Sequence, residues 1–389
     1  MMKYDFDRKI DRRNTNSVKW DYMKEFDRWE ALIPLWVADM DLECPQPVVE
    51  AVKKRAAHGI YGYADIPKAL NNVVADWVKK RHGWMIENES VCYVPGVVAA
   101  IKCAIRTFTE PGDRILIQSP VYTPFFSSIE RNERQIVLNP LKLINSHYQM
   151  DLKDLELKLK NNIKMMILCS PHNPGGMVWK HQELSEIARL CCRENIMLVS
   201  DEIHSDIIYK GRKHFPIASV SEEIAQNSIT CIAPSKTFNV AGLAASAIII
   251  PNEHHRERYR KEIAASGYEV NLMGITAMEA AYRYGEEWLD QVLEYLEANL
   301  DFLENFINEK IPEIRLIRPE GTFLAWLDFR QLNMKMDELD ELLVKKAGIF
   351  LNEGSSYGKE GAGFKRLNFG CSRSLLSEAL HKIEKAIHN

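Results

Sequence analysis

The sequence predicts an α/β chain, a mainly parallel sheet covered by helices on both faces and followed by a smaller α+β unit. Two observations carry this. From about residue 90, short apolar runs alternate with helical patterns as far as residue 250, and several of those runs end in polar, turn-forming residues. Beyond residue 310, strand-like runs at 315–318, 322–328 and 366–369 alternate with helical stretches at 337–347 and 374–388.

Taken in order, residues 1–30 are rich in Asp, Arg and Trp and read as an arm laid over a surface. The apolar run 33–41 reads as a strand entering a cleft. A helix over 47–58 opens at Pro47, carries Val48, Val49, Val52 and Ala56 at helical spacing and stops at Gly59. Tyr61-Gly62-Tyr63 makes the next turn, and a second helix runs through Trp77 to Arg81. Strands are expected at 91–94, 114–118, 165–169, 196–200, 229–233 and 246–250, with helices at 99–107 and 181–194. Their polar ends fall along the carboxyl edge of the sheet, where such folds bind ligands. The charged stretch 253–310, with Trp288, Leu289, Val292, Leu293 and Leu296 on one stripe, reads as a long linking helix. The resulting division is an arm with part of a small domain over 1–48, a large domain over 49–288 and a small domain over 289–389.

Composition narrows the partners. With 389 residues, 46% hydrophobic and 27% charged, the chain has ample material for two domains and a core. The 50 basic and 54 acidic residues give a net charge of −4, which points to neither nucleic acid nor membrane. The eight cysteines form no C-x-x-C pair and no Cys/His cluster at zinc spacing. They read as reduced thiols in the cytoplasm, with no metal site. Residues 1–13 lack the apolar segment of a signal peptide, and the longest apolar run, 240–250, is too short to span a bilayer.

Lys236 lies between the apolar run 229–233 and a small-residue segment. An amine held in a partly apolar cleft loses its proton easily and becomes a nucleophile able to form a Schiff base. Four other segments accompany it: Ser119-Pro-Val-Tyr122-x-Pro, Asn173-Pro-x-Gly176, Asp201-Glu-Ile203-His204 and Arg366-Leu-Asn-Phe. With Ser235-Lys236-Thr-Phe, in this order and spacing, they resemble the fold-type I pyridoxal-phosphate enzymes of the class I/II aminotransferase superfamily over residues 30–385. Trp36-Val-Ala-Asp39-Met-Asp41, Ser200-Asp-Glu-Ile-His-Ser205 and the run from Ala233 to Leu243 look like the carbon–sulfur β-lyase branch, often called cystathionine β-lyases.

The resemblance implies a large domain with a mainly parallel seven-stranded sheet, a smaller α+β domain and a homodimer with active sites at the interface. It implies that Lys236 carries pyridoxal 5′-phosphate and acts as the general base, while Asp201 keeps the ring nitrogen protonated. Asn173 then donates to the phenolic oxygen, although Asn-Pro-x-Gly alone is simply a good turn. Tyr122 stacks on the ring, and Ile203, two residues past Asp201 on the same strand face, presses on the other side. Gly96, Val97 and Val98 at a helix start, with the Ser235 hydroxyl, receive the phosphate. Tyr61 reaches it from the neighbouring subunit. Arg366 grips the substrate α-carboxylate, with Arg373 a weaker competitor, and Ala38 and Tyr61 complete the substrate side.

Two positions depart from the aminotransferase pattern. His204 stands where many members have tyrosine, and Ala244 stands where they have a phosphate-binding arginine. His204 either touches the cofactor hydroxyl or sits one layer behind it. Both departures agree with the lyase branch. The expected activity is α,β-elimination on an L-amino acid with sulfur at Cβ, such as cystathionine or another cysteine S-conjugate, giving thiol, pyruvate and ammonia. An aminotransferase, and a protein that keeps the cofactor fold to sequester a transcription factor, are the alternatives.

Overall fold

Alternation along the central strands explains why the sheet is covered on both faces. Ile115 and Ile117 enter one apolar layer while Leu116 between them enters the other, and Met165 and Ile167 divide from Met166 and Leu168 in the same way. Every one of these side chains is at most 1% exposed. A period of two with apolar residues at both phases leaves no solvated face, so helices must cover each side.

The computed structural model describes residues 3–25 and 31–389. The arm carries one turn of helix, α1 (Val18–Asp21), and is followed by a two-residue strand, β1 (Ile33–Pro34). Helices α2 (Gln46–Ala57) and α3 (Lys68–His82) precede β2 (Val91–Val94) and α4 (Val97–Phe108). Next come β3 (Arg114–Ile117), α5 (Pro124–Glu130), β4 (Gln135–Leu138) and a hairpin of β5 (Lys142–Ile144) and β6 (His147–Gln149). Then follow α6 (Leu152–Leu159), β7 (Ile163–Cys169), α7 (His181–Arg193) and β8 (Met197–Asp201). Last in this unit are α8 (Glu222–Gln226), β9 (Ser228–Ile232), α9 (Pro234–Thr237) and β10 (Ser246–Ile249). The seven-stranded sheet has the order β2-β10-β9-β8-β7-β3-β4. Only β10 runs antiparallel to its neighbours, so the other six strands share one direction and one carboxyl edge.

The stretch 253–310 is not one helix but three, α10 (Glu253–Ala265), α11 (Leu272–Tyr284) and α12 (Glu286–Lys310). Asn252 and Asn271 cap the first two with side-chain oxygens, and Gly267 at φ +63° turns the chain between them. The predicted stripe belongs to α12, where Trp288, Leu289, Val292, Leu296, Leu300, Leu303 and Ile307 repeat at intervals of three and four and are fully or almost fully buried. Each such leucine contributes roughly 2 kcal/mol by leaving water.

The C-terminal part holds β11 (Arg315–Ile317), β12 (Leu324–Asp328) and α13 (Met336–Asp340), which widens into a π-helical turn up to Ala347. After it come β13 (Ile349–Phe350), β14 (Asn352–Glu353), β15 (Phe364–Asn368) and α14 (Arg373–His388). An antiparallel sheet in the order β11-β12-β15-β14 results, and β13 pairs in parallel with β1.

Two further expectations change. The arm is not merely laid over a surface: Lys19 is fully buried and Trp20 and Phe6 are each 8% exposed. Residues 26–30 of the arm lie outside the described residues. The run 33–41 forms a strand only over its first two residues, because beyond Leu35 its backbone bonds are taken by side chains, Asn352 on the Trp36 carbonyl and Asn368 on those of Val37 and Asp39. Among the described residues, no helix is long and apolar enough to cross a membrane.

Candidate active site

At the carboxyl edge of the large sheet lies a cavity of about 310 Å³, within the roughly 300–1,000 Å³ usual for small-molecule sites. Its lining includes Ala38, Gly96, Val97, Val98, Tyr122, Asn173, Asp201, Ile203, His204, Ser235 and Lys236. Six segments deliver these side chains: the stretch after β1 with Ala38, the start of α4 after β2, the loop after β3 with Tyr122, the segments at and following the ends of β7 and β8, and the short helix α9 after β9.

Lys236 projects from α9, and its Nζ donates to the Ala38 carbonyl at 2.6 Å. Burial is the main cause of its pKa falling from 10.5 to about 8; Asp39 and Asp201 oppose that fall and Arg366 adds to it. Asp201 ends β8 and accepts the Ile203 N–H at 3.2 Å. Burial drives its pKa from 3.8 up to about 7, against the Ile203 hydrogen bond and Lys236. Ile203 itself sits in the turn after the strand, not on a shared strand face with Asp201, because β8 ends at Asp201; it still lines the cavity. Burial, with the Asp201 charge added, lifts the Tyr122 phenol to about 12, so it stays protonated.

The floor of the cavity is the start of α4. The first intrahelical bond, Ala100 N–H to the Gly96 carbonyl at 3.1 Å, leaves the N–H groups of Val97, Val98 and Ala99 without an acceptor inside the helix. Gly96 holds φ +106°, a conformation that L side chains rarely adopt. An open helix start of this kind attracts anions. Ala244, also in the left-handed region at φ +46°, lines the same cavity with Ala241 and Ala245.

Arg366, on β15, is 3% exposed. Its Nη1 donates to Asn173 Oδ1 at 3.0 Å and its Nη2 to the Trp36 carbonyl at 2.7 Å, and the guanidinium lies 5.2 Å from the Tyr357 ring centre. Its buried Nε has no hydrogen-bond partner among the described residues. His204 is likewise buried with Nδ1 unpartnered, and burial holds it neutral, its pKa well below the usual value. Arg373 is not at the site. It begins α14, its Nε donates to Asn299 Oδ1 at 2.7 Å and it packs over Phe302. Tyr61 lies outside the cavity of its own chain, 64% exposed, with its hydroxyl donating to the Ala56 carbonyl at 2.7 Å.

Cys169, Pro95 and Ala99 also line the cavity and were not singled out from sequence. Nor was the arm. Arg12 bridges Asp39 and Asp41 at 2.7 Å each, and the buried Lys19 Nζ meets Asp41 at 2.6 Å, so the arm pins the segment whose Ala38 carbonyl faces Lys236. The only sequence signal was the excess of charge in residues 1–30 beside Asp39 and Asp41.

The family model for "Aminotransferase class I and II" matches residues 30–383. The chain belongs to that family. Cystathionine β-lyase PatB of Bacillus subtilis is 42% identical over 98% of this chain and 99% of its own, and protein MalY of Escherichia coli is 33% identical over 99% of each. Among solved structures, cystalysin from Treponema denticola, which contains pyridoxal 5′-phosphate, superposes with TM-score 0.96 at 39% identity over 100% of this chain and 99% of its own. The pyridoxal-phosphate-bound C-S lyase of Staphylococcus hominis gives TM-score 0.93 at 31% identity over 100% of this chain and 99% of its own. The cavity of this family member suits such a cofactor on its own geometry. It offers an open helix start for a phosphate, a buried carboxylate whose charge calls for a cationic neighbour, and a lysine with a lowered pKa.

Proposed function

We propose that this chain is a pyridoxal-phosphate-dependent carbon–sulfur β-lyase, acting on cystathionine or another cysteine S-conjugate and releasing thiol, pyruvate and ammonia. The observation that carries the reading is the convergence of Lys236, Asp201, Asn173 and the open start of α4 on one cavity, in a chain 42% identical to a cystathionine β-lyase.

The cofactor, when bound, supplies an electron sink for the pair left at the substrate Cα. Asp201 would hold the ring nitrogen protonated, Tyr122 and Ile203 would flank the ring, and Gly96, Val97, Val98 and Ser235 would receive the phosphate. Asn173 has its Oδ1 engaged by Arg366, which leaves Nδ2 to donate to the phenolic oxygen. Arg366, with a free buried Nε beside two fixed Nη groups, is suited to a substrate carboxylate. His204, neutral and buried, lines the cavity and packs edge-on to Phe323. Ala38 offers its carbonyl to the lysine amine on the substrate side.

Lys236, with a pKa of about 8, takes the proton from Cα. The Cβ–S bond then breaks with its electron pair going to sulfur, and Lys236 or the protonated Tyr122 gives the thiolate a proton. Water converts the remaining carbon skeleton to pyruvate and ammonia. The chain acts as a homodimer, with Tyr61 of each copy reaching the other copy's phosphate. Its exposed neighbours Ile60 and Tyr63 are the kind of apolar surface a partner covers. All eight cysteines are free thiols, which suits a cytoplasmic protein.

The test is pyruvate release from L-cystathionine by purified protein, with and without an added 2-oxo acid. Release without the oxo acid, lost in Lys236→Ala, is expected. Consumption of the amino acid only when an oxo acid is present makes the enzyme an aminotransferase instead.

A further inference from the structure

Behind the cavity lies a buried polar seam that the proposed chemistry does not use. Asp206, in the loop after β8, is 6% exposed and gathers three donors from two elements. Thr237 Oγ1 on α9 donates to its Oδ2 at 2.8 Å, Trp77 Nε1 on α3 to the same oxygen at 3.2 Å, and His82 Nε2 at the end of α3 lies 3.1 Å from Oδ1. The His82 ring stands edge-on to His214 with centres 5.2 Å apart. His214 Nε2 in turn meets Glu202 Oε2 at 2.8 Å, and Glu202 Oε1 accepts from Ser200 Oγ and the Ile217 N–H. Thr237 follows Lys236 in the chain, and Glu202 follows Asp201. The seam therefore runs from beside one central residue of the site to beside the other.

We propose that Asp206, acting through the Thr237 hydroxyl, is the positioning residue for Lys236, with His82 holding Asp206 in place. A helix of four residues such as α9 cannot fix the direction of a side chain by itself. Its register is set from outside, by Phe238 packed 5.4 Å from Trp77 and by the Thr237 hydrogen bond. Two buried carboxylates weaken a core that apolar residues would fill at less cost, so their contribution is orientation. The proposal rests on Lys236 as the amine that carries the cofactor, not on the elimination step.

The test compares Thr237→Val, Thr237→Ser, Asp206→Asn and His82→Gln, each reconstituted with pyridoxal phosphate. Three quantities are read: the pH midpoint of the bound cofactor's absorbance, kcat and KM for pyruvate release, and Tm. The charged groups facing Lys236, namely Asp39, Asp201 and Arg366, are untouched, and Thr237→Val changes no charge at all, so a midpoint moved in that variant reports where the amine sits. Thr237→Val and Asp206→Asn are expected to move the midpoint by about half a pH unit or more and to lower kcat roughly tenfold to a hundredfold, with KM changed about twofold at most. Thr237→Ser should restore the wild-type values. A lowered Tm with midpoint and kcat unmoved would overturn the proposal, leaving the seam a purely structural one. If Asp206→Asn does not fold, Thr237→Val, which deletes one hydroxyl, carries the test. A wild-type protein that shows no cofactor band overturns the cofactor reading itself, a result distinct from an unmoved variant.

Discussion

Burial works in opposite directions on the two ionisable groups at the centre of the site. Asp201 has its pKa raised from 3.8 to about 7, so between those values the folded chain keeps a proton that the unfolded chain has lost. Stability contributed by this residue therefore falls as pH rises through that window, and above it the buried charge costs about 4 kcal/mol. Lys236, lowered from 10.5 to about 8, keeps its proton longer in the unfolded chain, so stability rises with pH between about 8 and 10.5. Asp201→Asn is thus expected to raise the Tm of the cofactor-free protein at pH 8, with the gain fading toward pH 4. Melting curves at the two pH values check this, and a variant that melts lower than wild type at pH 8 refutes it. Lys236, Asp201, Asn173 and Tyr122 were legible in the sequence because each stands in a short local motif. Asp206, His82 and Arg12 were not, because their meaning lies in partners tens to hundreds of positions away.

At the scale of elements, the strands of the large sheet could be read because their apolar runs are short and bounded by turn formers. The three helices between 253 and 310 merged in the reading because the whole stretch is helix-forming and highly charged overall; the separators are a cap such as Asn271 and the positive φ of Gly267, each a single residue. The start of α4 gives a sharp test. A Cβ at Gly96 would meet nothing within 4 Å, so the cost of Gly96→Ala is backbone strain alone, about 1–3 kcal/mol for an L residue at φ +106° and ψ 155°. Relief of that strain would turn the N–H groups of Val97 and Val98 away from the phosphate. Denaturant unfolding should show the modest loss of stability, and cofactor titration should show weaker binding. Unchanged affinity would mean that the helix start does not hold the phosphate.

At the scale of the molecule, the site is incomplete in one copy if Tyr61 belongs to the neighbour's phosphate. Lys236→Ala and Tyr61→Ala proteins, each poorly active alone, should then complement when unfolded together and refolded. Random pairing places both wild-type residues in one site of each mixed dimer, restoring about a quarter of wild-type activity. Failure of the mixture to exceed the two separate proteins would show that Tyr61 serves its own chain or none.

The parallel pairing of β1 with β13 also ties one wall of the site to the far end of the chain. The segment carrying Ala38 takes backbone bonds from Phe350, Asn352, Arg366 and Asn368, far along the chain, and from Asn239, three residues past Lys236. During translation, residues 33–41 leave the ribosome among the first and find the far partners only when nearly the whole chain has followed. Asn239 and the arm are at hand for Asp39, Met40 and Asp41 as soon as Lys236 has emerged, whereas the bonds on Leu35, Trp36 and Val37 wait for the C-terminal strands. A C-terminally shortened chain thus keeps the bonds that Asn239 and the arm make on one side of Ala38, and lacks those that hold Leu35, Trp36 and Val37 on the other.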